Sequence, residues 1–123
     1  MRLGDLERRV MEILWAHLDE YITARAVADD LPGYAYTTVL TVLDRLEHKG
    51  LVQRERGGRA HLYAATESRE SYVAELMLDA LGSATDRNAA LVHFAETASA
   101  SDAAILRRVL ARSPRRSPKR QGR

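Results

Sequence analysis

The pattern of the first 65 residues predicts three short amphipathic helices followed by a hairpin, and this order limits the chain to few folds. Apolar residues recur at spacings of three and four, which is typical of helices with one buried face. The hydroxyl of Thr23 can cap the second helix by accepting a hydrogen bond from an early free N–H group. We expect these helices over residues 3–18, 23–31 and 36–49.

A pair of glycines divides the next segment into two extended runs. Gly57-Gly58 lies between residues 51–56 and 59–64. A two-residue glycine loop favours a tight hairpin because such turns need positive φ. A cationic hairpin beside a helix can act as a wing that binds phosphates, although edge hairpins also carry charge to prevent aggregation. The basic residues at or near this hairpin are Lys49, Arg54, Arg56 and Arg59.

The third helix has a polar face opposite its apolar stripe. Thr37, Thr41 and Arg45 lie on this face, and Thr38 lies near the start of the helix. Small hydroxyl residues can approach DNA closely, because their hydroxyls bond phosphates or base edges and the threonine methyl can contact a thymine methyl. A solvated polar face is the alternative. With the preceding helix and the basic hairpin, the pattern favours a winged helix-turn-helix DNA-binding domain over residues 1–65.

Residues 66–112 return to a helical pattern but have little apolar bulk for a core of their own. We expect three helices here, the second near residues 87–97 and the last capped by Ser101. Their apolar stripes must be buried against the first domain or against another chain. Residues 113–123 lack periodicity, and we expect a basic disordered tail. The expected fold class is therefore mainly α with a small β-hairpin.

Charge and composition narrow the classes of function. Residues 112–123 hold six basic groups, which leaves 13 basic and 17 acidic groups and a net charge of −4 for the rest of the chain. The chain has no cysteine and its four histidines lack metal-ligand spacing, so we expect no metal site and no cofactor. Nucleophile and cofactor motifs are absent, which argues against an enzyme. Without a long apolar run or a secretory signal, we expect a cytoplasmic protein with no membrane partner.

Three segments of the chain resemble the penicillinase-repressor family of winged-helix regulators. They are LGDLERRVMEILW (3–15), AYTTVLTVLDRLEHKGLV (35–52) and RAHLYAA (59–65). The likeness continues through LVHFAE (91–96) and covers all of the chain except its tail. It implies a homodimeric repressor that binds an inverted-repeat operator in double-stranded DNA.

The resemblance also implies roles for individual residues. Tyr36, Thr37, Thr38 and Thr41 match family positions that face the DNA, with Arg45 near the backbone and the wing around Arg59. The C-terminal helices of the family form the dimer, so residues 66–112 are expected to be a dimerisation region. The apolar residues expected to hold the dimer here are Leu76, Leu91, Phe94, Leu106 and Leu110.

In the family, a membrane sensor of β-lactams triggers proteolysis in the dimerisation region, and the weakened dimer leaves the operator. The cut is typically at an Asn-Phe bond, and the matching bond here is His93-Phe94, which keeps Phe but not Asn. The resemblance therefore implies control of a β-lactam-resistance or stress-response operon and a sensor-linked protease as a partner.

Two alternative functions are compatible with the sequence. Trp15 and Tyr72 can frame a small-molecule pocket in a ligand-responsive winged-helix regulator, although large aromatic residues more often simply pack at such junctions. The polar face of the third helix can instead serve as a docking surface in a protein-interaction module.

Overall fold

A computed structural model describes residues 3–112 of the chain. Its contacts divide the chain into two compact units, the first extending to Asp79 and the second beginning at Ala80. The elements in chain order are α1 (Asp5–Ala16), β1 (Ile22–Thr23), α2 (Ala24–Asp29), α3 (Tyr36–His48), β2 (Val52–Gly57), β3 (Ala60–Ala65), α4 (Arg69–Gly82), α5 (Arg87–Thr97) and α6 (Ala100–Arg112).

The core of the first unit is aliphatic and lies where α1, α2 and α3 meet. Val10 of α1, Val27 of α2 and Leu43 of α3 are fully buried, and each belongs to the stripe expected from the sequence. Burial of these side chains removes apolar surface from water, which is the main force holding three short helices together. The inner stripe of α3 consists of Val39, Val42, Leu43 and Leu46.

A three-stranded antiparallel sheet closes the first unit, with strand order β1-β3-β2. β2 and β3 form the hairpin expected from the sequence, with Val52 opposite Ala65 and Gly57 opposite Ala60. The third strand was not expected. β1 pairs with β3 through Ile22 and Thr23 alone, and two residues are too short for an alternating pattern to show in a sequence.

The hairpin turn differs in one detail from the glycine-glycine loop expected from the sequence. Gly57 belongs to β2, and the two loop residues are Gly58 and Arg59. Gly58 has the positive φ (71°) that the turn requires, whereas Gly57 does not. Position 57 favours glycine for another reason. A Cβ atom there would clash with Leu62, since it would lie 2.6 Å from Cδ1 of that side chain.

The helix ends confirm one expected cap and correct another. Thr23 Oγ1 accepts a hydrogen bond from the Ala26 N–H group at the start of α2, as expected. At α6 the cap is Ser99 rather than Ser101, because Ser99 Oγ accepts from the Asp102 N–H group. α1 ends at Ala16, so Leu18 falls outside the helix and is 38% exposed instead of completing its stripe.

The start of α4 packs on α1 within the first unit. The rings of Trp15 and Tyr72 are both buried, and their centroids are 5.4 Å apart. Trp15 Nε1 donates a hydrogen bond to the carbonyl oxygen of Glu67 at 3.1 Å. The two aromatic side chains therefore pack against each other, and both also line a small cleft with Ser71 and Glu75. Leu76, one turn further along α4, is partly buried against the same core.

The described helices of the second unit enclose no buried core. Neither α5 nor α6 has a buried residue. Large apolar side chains along α5 and α6 are between 42% and 50% exposed. They are Leu91, Val92, Phe94, Ile105, Leu106 and Leu110. In the first unit, Met77 and Leu78 of α4 are also exposed.

Two expectations fall outside what the structure describes. The basic tail, residues 113–123, lies beyond the described residues. The boundary after residue 65 stays a prediction, since the first unit as defined by contacts continues into α4. Among residues 3–112, the helices are all too short or too polar to cross a membrane.

Replacing Leu46 with Ala should lower the free energy of unfolding by about 2–5 kcal/mol, because it leaves a cavity beneath α3. Leu46 is fully buried, whereas Leu18 is 38% exposed. The matched control Leu18→Ala should therefore change the free energy by no more than about 0.5 kcal/mol. Urea denaturation followed by circular dichroism measures both, and equal effects would contradict the assignment of the core.

Candidate nucleic-acid interface

The outer face of α3 presents a row of hydroxyl side chains to solvent. Thr37, Thr38 and Thr41 are exposed, and Tyr36 at the start of the helix is half-buried. Thr41 Oγ1 donates a hydrogen bond to the carbonyl oxygen of Thr37 at 3.0 Å, which fixes the direction of its hydroxyl. Its oxygen lone pairs and its methyl group remain available to a ligand. The structure thus places all three threonines on one accessible surface.

The N-terminus of α3 differs from that of α2 in how it is capped. α2 is capped by the hydroxyl of Thr23, but the residue preceding α3 is Ala35, and no side chain caps α3. Uncapped N–H groups at a helix N-terminus attract anions such as phosphate, aided by the helix dipole. This end of α3 can therefore donate hydrogen bonds to a ligand that carries negative charge.

Further along α3, Arg45 and His48 continue the polar face. Both side chains are exposed. The Nδ1 atom of His48 lies 3.0 Å from the carbonyl oxygen of Asp44, so this ring is turned back against its own helix. Arg45 instead borders an open cleft between α3 and the start of α1, which Thr38 and Thr41 also line. Arg45 is the basic side chain that shares a surface with the threonines.

Lys49 is held by a carboxylate that the sequence did not reveal as its partner. Its Nζ atom lies 3.1 Å and 3.0 Å from the two carboxylate oxygens of Glu7, which is only 7% exposed. Glu7 Oε1 also accepts a hydrogen bond from the Gly4 N–H group at 2.9 Å. Lys49 therefore ties the end of α3 to the start of α1, and its charge is already neutralised.

This arrangement changes the acidity of Glu7. The hydrogen bond from the Gly4 N–H group lowers the pKa of the Glu7 carboxyl below its usual value, while burial acts in the opposite direction. Lys49, and at longer range Arg45, lower the pKa further. The ionised form of Glu7 is thus the one that the fold stabilises.

Arg54 of the wing is also paired. Its guanidinium nitrogens lie 3.8 Å from an Asp44 carboxylate oxygen and 3.6 Å from one of Glu47, both on α3. These exposed contacts contribute little to stability on their own. They do join β2 to the helix beside it, and they leave less of the Arg54 charge available to another anion.

Arg56 and Arg59 remain the available charges of the wing. Both side chains are exposed, and within residues 3–112 neither forms an ion pair with a carboxylate. Arg59 occupies the turn beside Gly58, at the tip of the hairpin. The free positive charge of the wing is therefore concentrated toward its tip.

Two residues of this region were missed by the sequence analysis. Glu7 accepts from the N–H group of Gly4 as the second residue of a capping box does, but Gly4 has no side chain to complete the box. The pairing of Glu7 with a lysine 42 positions away cannot be read from the sequence. Arg25 is the second, because its guanidinium carbon lies 4.2 Å from the centre of the Tyr36 ring. Nothing in the local sequence links α2 to that ring.

Within the described part of the chain, His, Asp and Glu side chains nowhere gather in a group of three or more that could hold a metal ion.

Residues 3–112 match the sequence profile described as penicillinase repressor. The chain belongs to the penicillinase repressor family. The resemblance seen in the three sequence motifs is thereby confirmed.

Relatives in this family include the transcriptional regulator BlaI of two Mycobacterium tuberculosis strains, CDC 1551 / Oshkosh and H37Rv. Each is 51% identical to this chain over 116 residues, covering 89% of this chain and 83% of the relative. Among solved structures, a MarR family protein from Bacillus stearothermophilus has a TM-score of 0.50 at 19% identity, covering 91% of this chain and 73% of that protein. This likeness concerns the fold alone, and it confirms the expected winged-helix architecture.

The Glu7 carboxylate should make stability depend on pH. Glu7→Gln removes the charge that Lys49 and Gly4 bind, and should lower the free energy of unfolding at pH 7 by about 1–3 kcal/mol. Because the folded pKa is below the unfolded value of about 4.3, this contribution is complete above that value. It is lost as the pH falls through the folded pKa.

Urea denaturation of wild type and Glu7→Gln between pH 3 and 7 measures the difference. We expect a constant gap down to about pH 5 that narrows below about pH 4. Glu20→Gln, at an exposed position after α1, is the matched control and should show no such gap. A gap that persists unchanged at pH 3 would contradict the assigned interaction.

Proposed function

We propose that this chain is a DNA-binding transcriptional repressor that places α3 in the major groove and its wing on the DNA backbone. Membership of the penicillinase repressor family and the transcriptional regulators among its relatives support regulation of transcription. The observation that carries the proposal is the exposed row of threonines on α3 beside a wing whose tip arginines form no ion pair within residues 3–112. We assign the chain no catalytic reaction.

Base reading is assigned to the start and middle of the outer face of α3. Thr37 and Thr38 lie in the first turn, which enters a major groove most deeply in helix-turn-helix proteins. Thr41 follows one turn later, and its hydroxyl donates to the carbonyl oxygen of Thr37, which leaves its lone pairs to accept from a ligand. Such a surface suits base-edge donors and thymine methyl groups. Tyr36, the first residue of α3, lies directly before the three threonines.

Phosphate binding is assigned to groups whose charge or hydrogen-bonding capacity is not used within the fold. These are the uncapped N-terminus of α3, Arg45, Arg56 and Arg59. Lys49 and Arg54 contribute in a different way, because both are paired with carboxylates and thereby position α3 and the wing. The proposal thus separates binding cations from positioning cations.

A second copy of the chain is the proposed partner of the exposed apolar side chains. Leu91, Phe94, Leu106 and Leu110 are between 42% and 50% exposed, which is unfavourable for a monomer. Leu76 contributes less, because it is partly buried against the core of its own unit. A twofold dimer would present two α3 helices to major grooves roughly 34 Å apart, as an inverted repeat requires. Occupancy of a promoter would then exclude polymerase sterically.

Release from DNA is proposed to follow proteolysis between His93 and Phe94, by a protease linked to a β-lactam or stress sensor. Both residues are exposed on α5, and the carbonyl oxygen of His93 accepts a hydrogen bond from Thr97 Oγ1 at 3.0 Å. Proteases bind their substrates in extended form, so this turn of helix must open before the bond is cut. Cleavage would divide the set of apolar side chains assigned to the dimer.

Arg59→Ala should weaken binding to every DNA sequence and reduce the slope of log affinity against log salt by about one. Arg54→Ala is the comparison, because its charge is partly neutralised by Asp44 and Glu47, and its slope should change less. Fluorescence anisotropy with a duplex selected in vitro, at several salt concentrations, measures both. An unchanged slope for Arg59→Ala would remove the wing tip from the interface.

Leu106→Asp should convert the dimer to monomers, because it places a charge among the apolar side chains of α6. Affinity for an inverted repeat should fall at least about 100-fold, since the two half-sites are no longer bound by one linked molecule. Ser101→Asp, at an exposed polar position of the same helix, should leave the dimer intact. Sedimentation equilibrium reports the oligomeric state, and a monomeric variant that binds normally would refute the dimer mechanism.

A further inference from the structure

Arg25 and Tyr36 form a contact between the two helices of the helix-turn-helix that has no evident role in the core. The guanidinium carbon of Arg25 lies 4.2 Å from the centre of the Tyr36 ring. Arg25 is exposed in the first turn of α2, and Tyr36 is the half-buried first residue of α3. A guanidinium stacked on a tyrosine ring is held by cation–π attraction while its edge stays free.

We propose that Arg25 is a phosphate-binding residue of the DNA interface and that the Tyr36 ring is the platform that orients it. The proposal rests on the proposed DNA-binding function and adds to it a contact from α2. In this arrangement Arg25 binds one backbone phosphate next to the start of α3. Tyr36 acts through Arg25 by holding the guanidinium in one plane.

The charge of Arg25 is available to bind a ligand. Lys49, Arg54 and Arg69 are each paired with a carboxylate. Within residues 3–112, Arg25 forms no ion pair, and the ring of Tyr36 is the contact that its guanidinium makes. An exposed arginine whose planar face is occupied and whose N–H edge is free can still donate two parallel hydrogen bonds to a phosphate.

The Arg25–Tyr36 pair lies at the start of α3. The uncapped N-terminus of α3 begins at Tyr36, next to Thr37 and Thr38. α2 cannot offer its own N-terminus in the same way, because Thr23 already caps it. In helix-turn-helix proteins the first of the two helices crosses the DNA backbone. The side chain of Arg25 is therefore the cationic group with which α2 can bind that backbone.

The Tyr36 ring limits the conformational freedom that the Arg25 side chain loses when it binds a phosphate. A free arginine side chain loses several rotamers when it binds a phosphate, which reduces the affinity gained. Stacking on Tyr36 restricts the Arg25 side chain before DNA arrives. A lysine at the same position would carry the same charge but could neither stack as a plane nor donate in a fork. We therefore expect the charge and the planar shape of the Arg25 guanidinium to contribute separately to DNA affinity.

The test measures salt-dependent binding of the full chain to a duplex selected in vitro and to a scrambled duplex of equal length. Arg25→Gln should weaken binding to both duplexes by about tenfold and reduce the salt slope by about 0.9. Arg25→Lys should keep the slope but lose affinity. Arg87→Gln removes one exposed charge in the second unit, and is the matched control that should leave both quantities unchanged.

The platform is tested by combining Arg25→Gln with Tyr36→Leu. If the ring orients the guanidinium, Arg25→Gln should cost less affinity in the Tyr36→Leu background than in wild type. Thermal unfolding of each variant shows whether α2 and α3 remain folded, and Arg25→Lys supplies an independent readout if Arg25→Gln is unstable.

The outcomes separate this inference from the function on which it rests. A wild type that binds the selected duplex, with Arg25→Gln equal to Arg87→Gln in affinity and slope, would overturn the role of Arg25 alone. Additive losses in the double variant would overturn the platform role of Tyr36. A wild type that binds neither duplex would overturn the DNA-binding function and, with it, this inference.

Discussion

Burial of one face of α3 is the constraint on which the rest of this structure depends. Val39, Val42, Leu43 and Leu46 are at most 4% exposed and pack against α1, α2 and the sheet. Because a helix turns every 3.6 residues, fixing this stripe inside also fixes the threonines on the opposite side outside. The same apolar contacts that stabilise the domain therefore determine which side chains a nucleic acid can reach.

Pairing with carboxylates determines which basic side chains near α3 and the wing can bind another anion. The chain without its basic C-terminal end has more acidic than basic groups, so a basic surface does not follow from composition. Glu7 neutralises Lys49, and Asp44 and Glu47 partly neutralise Arg54. Within residues 3–112, ion pairs are absent from Arg45, from Arg56 and Arg59 of the wing, and from Arg25 over the ring of Tyr36. Pairing thus removes Lys49 and Arg54 from the cations near α3 and the wing that can bind another anion.

The two units differ in how much apolar surface they bury. In the first, three helices and a sheet enclose a core, and even the start of α4 adds Tyr72 to it. In the second, α5 and α6 have apolar residues but no interior, since neither helix has a buried side chain. Helices of 11 and 13 residues with exposed apolar faces gain stability mainly by packing against another surface. A second copy of the chain is the partner that we propose for them.

The sequence by itself determined the elements with strong local signals. Periodic apolar residues gave α1 to α6, the glycine pair gave the hairpin, and the threonine row and basic wing followed from spacing. Tertiary structure alone decided the pairing of Glu7 with Lys49, the contacts of Arg54, the stacking of Arg25 on Tyr36 and the two-residue strand β1. The reason is physical: periodicity reports which face of an element is buried, whereas partners distant in the chain meet only once the elements have packed.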